Sequence, residues 1–188
     1  VKIAIVSKTV VPDVALVDPV TTTTMDAHLT ACTGMDALVH AVEAYVSNAS
    51  SPLTDVHALE AIRLVVDNLL PAIEHPDQIV YRGAMMLASL HAGLAFSNAS
   101  LGAVHAMAHS LGGRLDFAHG QANAILLEHV IAFNFDTVPR RYRRIGQAIG
   151  LDVDAITLDQ AKEKLLAGVK ERRIAAGISQ TLGDMGLP

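Results

Sequence analysis

The chain has 188 residues and a formal net charge of −5, and it is apolar, with 51% hydrophobic and only 18% charged residues. This length suits one domain, and the acidic balance leaves no extended basic surface for a nucleic-acid partner, since we expect the one basic cluster, PRRYRR at 139–144, to be a solvated helix face. No uninterrupted apolar run approaches the ~20 residues that span a bilayer, so we expect no membrane partner.

Two short runs rich in β-branched residues open the chain. The segments KIAIVS and DVALVD predict a β-hairpin within residues 1–20, with a Pro-containing connection. A lone two-stranded hairpin is only marginally stable in water, so we expect this one to belong to a larger unit. The chain opens on a strand without Met and ends on turn-forming residues, and we therefore expect it to be a fragment of a longer protein.

From His28 onward the apolar spacing is helical. The serines and the proline in SSPLTD are typical of a helix start. The predicted fold class is therefore mainly α, with a helical bundle over residues 21–188 behind the hairpin. Eight helices are predicted, over residues 26–33, 35–47, 53–74, 77–98, 101–113, 120–133, 138–149 and 158–176.

Several common catalytic motifs are absent from the sequence. Neither GxGxxG nor GxxxxGK[ST] occurs, so the usual phosphate-binding loops are missing. HExxH, Glu-x-x-His and GxSxG are missing too, which disfavours zinc proteases, di-iron bundles and α/β-hydrolases. The single cysteine, Cys32, excludes a cysteine-rich zinc site and an intramolecular disulfide, and it fits a reducing compartment such as the cytoplasm.

A carboxylate and an imidazole share one face of a predicted helix in TGMDALVHAVEAYVS. Asp36 and His40 are four residues apart, which places their Cβ atoms about 5–6 Å from each other. Such a pair can bind one divalent cation through an oxygen and a neutral nitrogen. Taken alone, however, the pattern is more often an acidic residue near the positive end of a helix.

Three further histidines follow within GAVHAMAHSLGGRLDFAHG. His105 lies on a predicted helix, and we expect a Gly-Gly turn to bring His119 to the same point from the next helix. Together with Asp36 and His40 they form a set that suits Fe(II) or Zn(II) and leaves a position open for substrate. His109, one turn from His105, is a candidate proton-transfer group or part of a cofactor cleft. The other histidines are expected to be structural or exposed: His28, His57, His75, His91 and His129.

Long segments of the chain resemble the metal-binding half of the iron-containing alcohol dehydrogenase family. The resemblance is carried by TGMDALVHAVEAYVS, MLASLHAGLAFSNASLGAVHAMAHSLGG and HGQANAILLEHVIAFN, in that order. Members of this family carry an N-terminal domain that binds NAD(P), and nothing in this chain matches its Gly-rich loop. The resemblance therefore implies that residues 1–20 end the nucleotide-binding domain and that residues 21–188 form a truncated helical metal-binding domain.

The same resemblance implies metal ligands at Asp36, His40, His105 and His119, and it places His109 beside the nicotinamide as the proton-moving, cofactor-contacting residue. It implies an Fe(II)- or Zn(II)-dependent, NAD(P)-linked oxidoreductase that interconverts a small primary or secondary alcohol and its aldehyde or ketone. It further implies a homo-oligomer for the full-length enzyme and an inactive isolated chain. The alternative is a catalytically silent helical metal-binding or protein-interaction module.

Overall fold

Helices dominate the computed structural model, which describes residues 7–115 and 117–184. Short 3₁₀ turns precede the helices at Lys8–Val10 and Pro19–Thr22, and another follows the fifth helix at Phe135–Thr137. Within the described ranges the α-helices are α1 (Ala27–Val46), α2 (Pro52–Glu74), α3 (Ile79–Ala99), α4 (Ala103–Leu115), α5 (His119–Asn134), α6 (Pro139–Ala148) and α7 (Leu158–Ala175).

The predicted N-terminal hairpin is not seen among the residues that the structure describes. Most of its first strand, residues 2–7, lies outside the described ranges, and residues 13–18 form no strand. Val14 is 73% exposed and Leu16 is 91% exposed, so the apolar side chains of this segment are not buried. A strand needs a neighbouring backbone to pair with its amide and carbonyl groups. The β-branched composition alone could not supply that neighbour.

The first two predicted helices form one continuous helix, α1. Asp26 caps its start, since its side-chain oxygen accepts a hydrogen bond from the Leu29 amide at 2.7 Å. The helix passes through Gly34, where a Cβ atom would lie only 2.4 Å from a methyl carbon of Leu69. Gly34 thus lets α2 approach α1 closely instead of breaking the helix. The other six predicted helices agree with the observed ones to within two residues at each end.

The Gly-Gly pair does not form the predicted turn. Gly112 and Gly113 lie inside α4, which continues to Leu115, and the connection to α5 lies between Leu115 and His119. Glycine inside a helix costs about 1 kcal/mol relative to alanine. Packing of α4 against α5 offsets this cost, so tertiary structure rather than local preference sets where α4 ends.

Helix α1 is the centre of the bundle and packs against α2, α3, α5 and α6. Its apolar side chains, such as Met35 and Leu38, are fully buried with Ile62 of α2 and Leu127 of α5. Helix α4 packs along α5, and α7 packs against α5 and α6. Polar side chains on the inward faces of α1, α4 and α5 are therefore held close together.

Helix α3 has the length and composition of a possible membrane-spanning helix, with a mean hydropathy of 1.3. A single helix with these two properties is weak evidence for a membrane span. In this structure α3 packs against both α1 and α2, so the feature by itself does not indicate a membrane span.

The basic cluster at 139–144 is engaged in contacts within the chain. Arg141 donates to the carbonyl of Tyr45 at 2.7 Å and also contacts the Asp55 carboxylate. Arg143 donates to the carbonyl of Ile156 at 2.7 Å. These arginines therefore tie α6 to its neighbours.

Candidate metal centre

Asp36 is the carboxylate around which the candidate centre is built. It lies on α1, four residues before His40, and Oδ2 of Asp36 is 3.8 Å from Nδ1 of His40. From α4, Nε2 of the buried His105 lies 3.6 Å from the other carboxylate oxygen, Oδ1. The ligand atoms of these three side chains all lie within 4.8 Å of one another, a spacing at which one cation can contact all three.

His119 reaches the same carboxylate from a third helix. It is the first residue of α5, and its Nε2 lies 3.6 Å from Oδ1 of Asp36. The next residue, Gly120, packs directly on α1, where a Cβ atom would lie 2.3 Å from the carbonyl oxygen of Cys32. This close approach brings the start of α5 to α1. The structure therefore brings together all four side chains that the sequence suggested as ligands.

Glu43 is a functional candidate that the sequence analysis missed. Its buried carboxylate accepts a hydrogen bond from Nδ1 of His105 at 2.6 Å and another from the Val104 amide at 2.7 Å. Gly102 leaves room for it, because a Cβ atom there would lie 2.8 Å from Oε1 of Glu43. Since Nδ1 is engaged, Nε2 of His105 is the nitrogen that faces Asp36. Glu43 follows Asp36 by seven residues, two helical turns along the same face, and that spacing was the available signal.

Asn123 is the second residue that the sequence analysis missed. It is fully buried on α5, one turn after His119, and its Nδ2 donates to Oδ1 of Asp36 at 2.5 Å. The same amide nitrogen lies 3.1 Å from Nε2 of His105 and 3.1 Å from Nε2 of His119. Asn123 thus contacts three of the four candidate ligands and holds Asp36 in its orientation.

Aromatic contacts fix the orientation of the imidazole rings. His40 is stacked between Phe96, at a centroid distance of 4.6 Å, and His105, at 4.3 Å. His109 stacks on His119 with ring centroids 5.1 Å apart, and it is exposed to solvent. His109 therefore lies beside the cluster on its solvent side, and its predicted proton-transfer role stays a prediction.

The protonation of the cluster follows from burial and from its two carboxylates. Burial opposes a charged His105, but Asp36 and Glu43 outweigh it and raise the pKa of His105 to about 9. Burial lowers the pKa of His40 to about 4, although the Asp36 carboxylate partly opposes this shift. Burial also acts to raise the pKa of Asp36, but the surrounding imidazoles and Asn123 outweigh it, so that pKa is lowered.

The donor set has the chemistry of a transition-metal centre. One carboxylate oxygen and three imidazole nitrogens suit Fe(II) or Zn(II), and the residues present fit either ion. A metal-ligating histidine usually donates its second ring N–H to a carboxylate or carbonyl, which fixes its tautomer. The Glu43–His105 hydrogen bond has that arrangement.

Sequence comparison gives these residues a family context. The family model described as Fe-containing alcohol dehydrogenase family, C-terminal, matches residues 30–188. The chain is 44% identical over 187 residues to a 1,3-propanediol dehydrogenase of Klebsiella pneumoniae, a match that covers 100% of the chain and 48% of the relative. It is 42% identical over 178 residues to an NADPH-dependent butanol dehydrogenase of Clostridium saccharobutylicum, covering 95% of the chain and 45% of the relative.

Structural comparison agrees with the sequence matches. A crystal structure of a 1,3-propanediol oxidoreductase superposes with a TM-score of 0.88 and 44% sequence identity, covering 91% of this chain and 45% of that one. The helical fold is therefore that of the C-terminal domain of this family, as it occurs in that crystal structure. The chain spans about half the length of the curated relatives it matches.

Proposed function

Because the chain belongs to the iron-containing alcohol dehydrogenase family, we propose that it supplies the metal-binding half of an NAD(P)-linked alcohol dehydrogenase. The substrate is a small primary or secondary alcohol or the corresponding aldehyde or ketone. Residues 21–188 form most of the metal-binding domain, and residues 1–20 end the domain that binds the nucleotide. In this proposal the whole enzyme is a homo-oligomer located in the cytoplasm. The free thiol of Cys32 is consistent with a reducing compartment.

One observation carries the proposal. Oδ1 of Asp36 lies 3.6 Å from Nε2 of both His105 and His119, two nitrogens that belong to different helices. His40 completes the set on the side of Oδ2. We assign these four side chains as the ligands of Fe(II) or Zn(II).

A divalent cation at this position supplies Lewis-acid polarisation of the alcohol oxygen, which favours hydride loss to the nicotinamide. The protein residues prepare the centre for this chemistry. Asp36 contributes negative charge, and the low pKa of His40 keeps that ring neutral and able to act as a ligand. Glu43 holds His105 with Nε2 directed at the centre.

His109 is assigned to proton movement and to the nicotinamide side of the cleft. It stacks on His119 but is not placed around Asp36, and it is exposed. An exposed imidazole beside the centre is suited to accept the alcohol proton and release it to water, because its ring nitrogens can take up and give up a proton and solvent reaches them.

Metal analysis tests the ligand assignment. The chain, reconstituted anaerobically with Fe(II) or Zn(II), is expected to bind one ion through the four assigned ligands. The variant His105→Ala is expected to lose this ion. His129, an exposed histidine whose ring lies 3.9 Å from Glu128, serves as the control, since His129→Ala should leave this ion in place. Retention of the ion by both His105→Ala and His119→Ala would contradict the assignment.

Activity separates the enzyme from the silent module. A protein that contains this chain together with its nucleotide-binding domain is expected to reduce NAD(P) with a small alcohol. This activity should be lost when the metal is removed by a chelator and in the variant His105→Ala. Metal binding without any hydride transfer across a panel of alcohols and aldehydes would instead support the catalytically silent metal-binding module.

A further inference from the structure

The side-chain amide of Asn123 lies directly against the atoms assigned above to the metal ion. Its Nδ2 is 2.5 Å from Oδ1 of Asp36, 3.1 Å from Nε2 of His105 and 3.1 Å from Nε2 of His119. Asn123 is fully buried on α5, so its amide is shielded from bulk water. The amide nitrogen therefore contacts the same three atoms that an ion at this centre would contact.

The oxygen of the same amide is not engaged. Oδ1 of Asn123 is buried and accepts no hydrogen bond from the residues that the structure describes. Buried carbonyl oxygens are normally paired, because an unpaired one costs free energy. The orientation of this side chain is therefore set from the side of Nδ2 alone, by its contacts with the ligand atoms.

An amide hydrogen and a metal ion compete for the same lone pair on an imidazole. The accepting nitrogen of a neutral imidazole has one lone pair, which serves either a hydrogen bond or a metal bond. Nε2 of His119 can therefore bind the Asn123 amide or the ion, but not both. The Asp36 carboxylate differs, because its two oxygens have about four lone-pair sites and can accept from the amide while they bind a cation.

We propose that Asn123 lowers the metal affinity of the centre by holding ligand atoms that the ion must take from it. This proposal rests on the ligand assignment made under the proposed function. With a chelator present, the amide supplies positive partial charge to these atoms and keeps His119 of α5 beside Asp36 of α1. When the ion binds, the amide gives up its contact with Nε2 of His119 and keeps its contact with Asp36.

Glu43 acts in the opposite sense on the same cluster. It bonds to Nδ1 of His105 at 2.6 Å, the ring nitrogen that points away from Asp36. An ion at Nε2 leaves that hydrogen bond in place, so Glu43 supports the ligand when the ion is bound. Asn123 instead lies at Nε2, on the side where the ion binds. Two buried polar side chains that contact one ring thus change the metal affinity in opposite directions.

Zinc affinity tests the proposal through the sign of the change. Asn123→Ala removes a contact that metal binding breaks, so this variant is expected to bind Zn²⁺ about 2–10-fold more tightly than the unmodified chain, the range for one net hydrogen bond. Competition titration against a chromophoric chelator measures the affinity. The matched control is Asn98→Ala, which removes an exposed amide that donates to the Leu94 carbonyl at 2.9 Å and should leave the affinity unchanged. Equal or weaker binding by Asn123→Ala would overturn the proposal.

A measurement on the unmodified chain does not depend on how a variant folds. The side-chain NH₂ protons of Asn123 are expected to exchange slowly with water when a chelator is present. Their resonances should move as one equivalent of Zn²⁺ is added, because the hydrogen directed at His119 loses its acceptor. A shift of the His119 ring ¹⁵N resonances with no shift of the Asn123 amide would overturn the proposal and leave the ligand assignment intact.

Failure of the ligand assignment itself gives a different result. In that case His105→Ala binds Zn²⁺ as tightly as the unmodified chain, and the proposal for Asn123 falls with the assignment. Loss of the ion in His105→Ala together with weaker binding by Asn123→Ala would instead leave the centre in place and make Asn123 a residue that supports the bound ion.

Discussion

Glu43 accepts a hydrogen bond from Nδ1 of His105 across 2.6 Å, although 62 residues separate the two in the chain. Both side chains are buried, so the contact is shielded from water. The carboxylate leaves His105 with Nε2 directed at Asp36, and it holds the tautomer that a metal ligand needs.

Loss of the Glu43 charge is expected to weaken metal binding. Glu43→Gln keeps the shape of the side chain but removes the charge that orients His105, and partners of this kind typically change metal affinity by about 10–100-fold. Competition titration with Zn²⁺ measures the change, and circular dichroism checks that the helices persist. Glu163→Gln, an exposed carboxamide substitution on α7, is the matched control and should leave the affinity unchanged. Equal affinities for Glu43→Gln and the control would exclude a positioning role.

Metal binding is expected to release a proton from His105. With its pKa raised to about 9, this ring is charged at pH 7 in the presence of a chelator. The ion displaces about one proton, so its apparent affinity should rise up to tenfold per pH unit between pH 7 and about 9 and then level off. Calorimetry in buffers of different ionisation enthalpy counts the protons. Uptake of metal with no proton release at pH 7 would contradict the raised pKa.

The same shift predicts a pH-dependent stability when a chelator is present. The folded-state pKa of His105, about 9, exceeds the ordinary value of 6.5. The charged ring therefore stabilises the fold fully below about pH 6.5, and this contribution is lost as the pH rises through about 9. Urea unfolding at pH 6 and pH 9.5 measures the difference, which should be smaller in Glu43→Gln.

A methyl group at Gly120 is expected to separate α5 from α1. The added Cβ would lie 2.3 Å from the carbonyl oxygen of Cys32, and backbone cannot move aside as a flexible side chain can. Gly120→Ala should therefore cost about 1–3 kcal/mol of unfolding free energy and weaken metal binding by displacing His119. Gly113→Ala is the matched control, because its Cβ meets nothing within 4 Å and helix propensity favours alanine. Equal stability of the two variants would show that α5 does not rest on Cys32.

Glycine at position 100 is expected to stabilise the chain. Ser100 ends α3 with φ 66° and ψ −179°, a conformation that costs a residue with a Cβ about 1–3 kcal/mol. Ser100→Gly should raise the free energy of unfolding by about 1 kcal/mol after the extra chain entropy of glycine is subtracted. The comparison variant is Ser110→Gly, inside α4, which should lower the free energy of unfolding by about 0.5–1 kcal/mol. Denaturant unfolding compares the two, and a loss of stability in Ser100→Gly would contradict the strain.

His109 is expected to affect turnover without affecting metal content. Its ring stacks on His119 outside the set of side chains around Asp36. His109→Gln should keep the stoichiometric ion in the chain, while slowing alcohol oxidation by about 10²–10⁴-fold in the protein that carries the nucleotide-binding domain. Loss of the ion in His109→Gln would instead make His109 a ligand.

The helices of this chain could be predicted from sequence because their signals are local. Apolar spacing acts within about four residues, and it places α2 to α7 to within two residues, with the Ser51 cap adding a local signal at the start of α2. The candidate ligands Asp36 and His40 follow from the same helical spacing. The spacing of His105 and His119 then joined them to these two residues as one candidate set, and the resemblance to the family implied the same four ligands.

Tertiary packing decided which of these residues meet and what surrounds them. The contacts of Glu43 with His105, of Asn123 with Asp36, and of His57 with His91 join residues 62, 87 and 34 positions apart. Packing likewise carried α1 through Gly34 and α4 through its Gly-Gly pair, where local preference predicted breaks. Helical periodicity determines which face of its own helix a side chain occupies. Only the packing of one helix on another, set by close approaches such as that of Gly120 to Cys32, determines what that face touches.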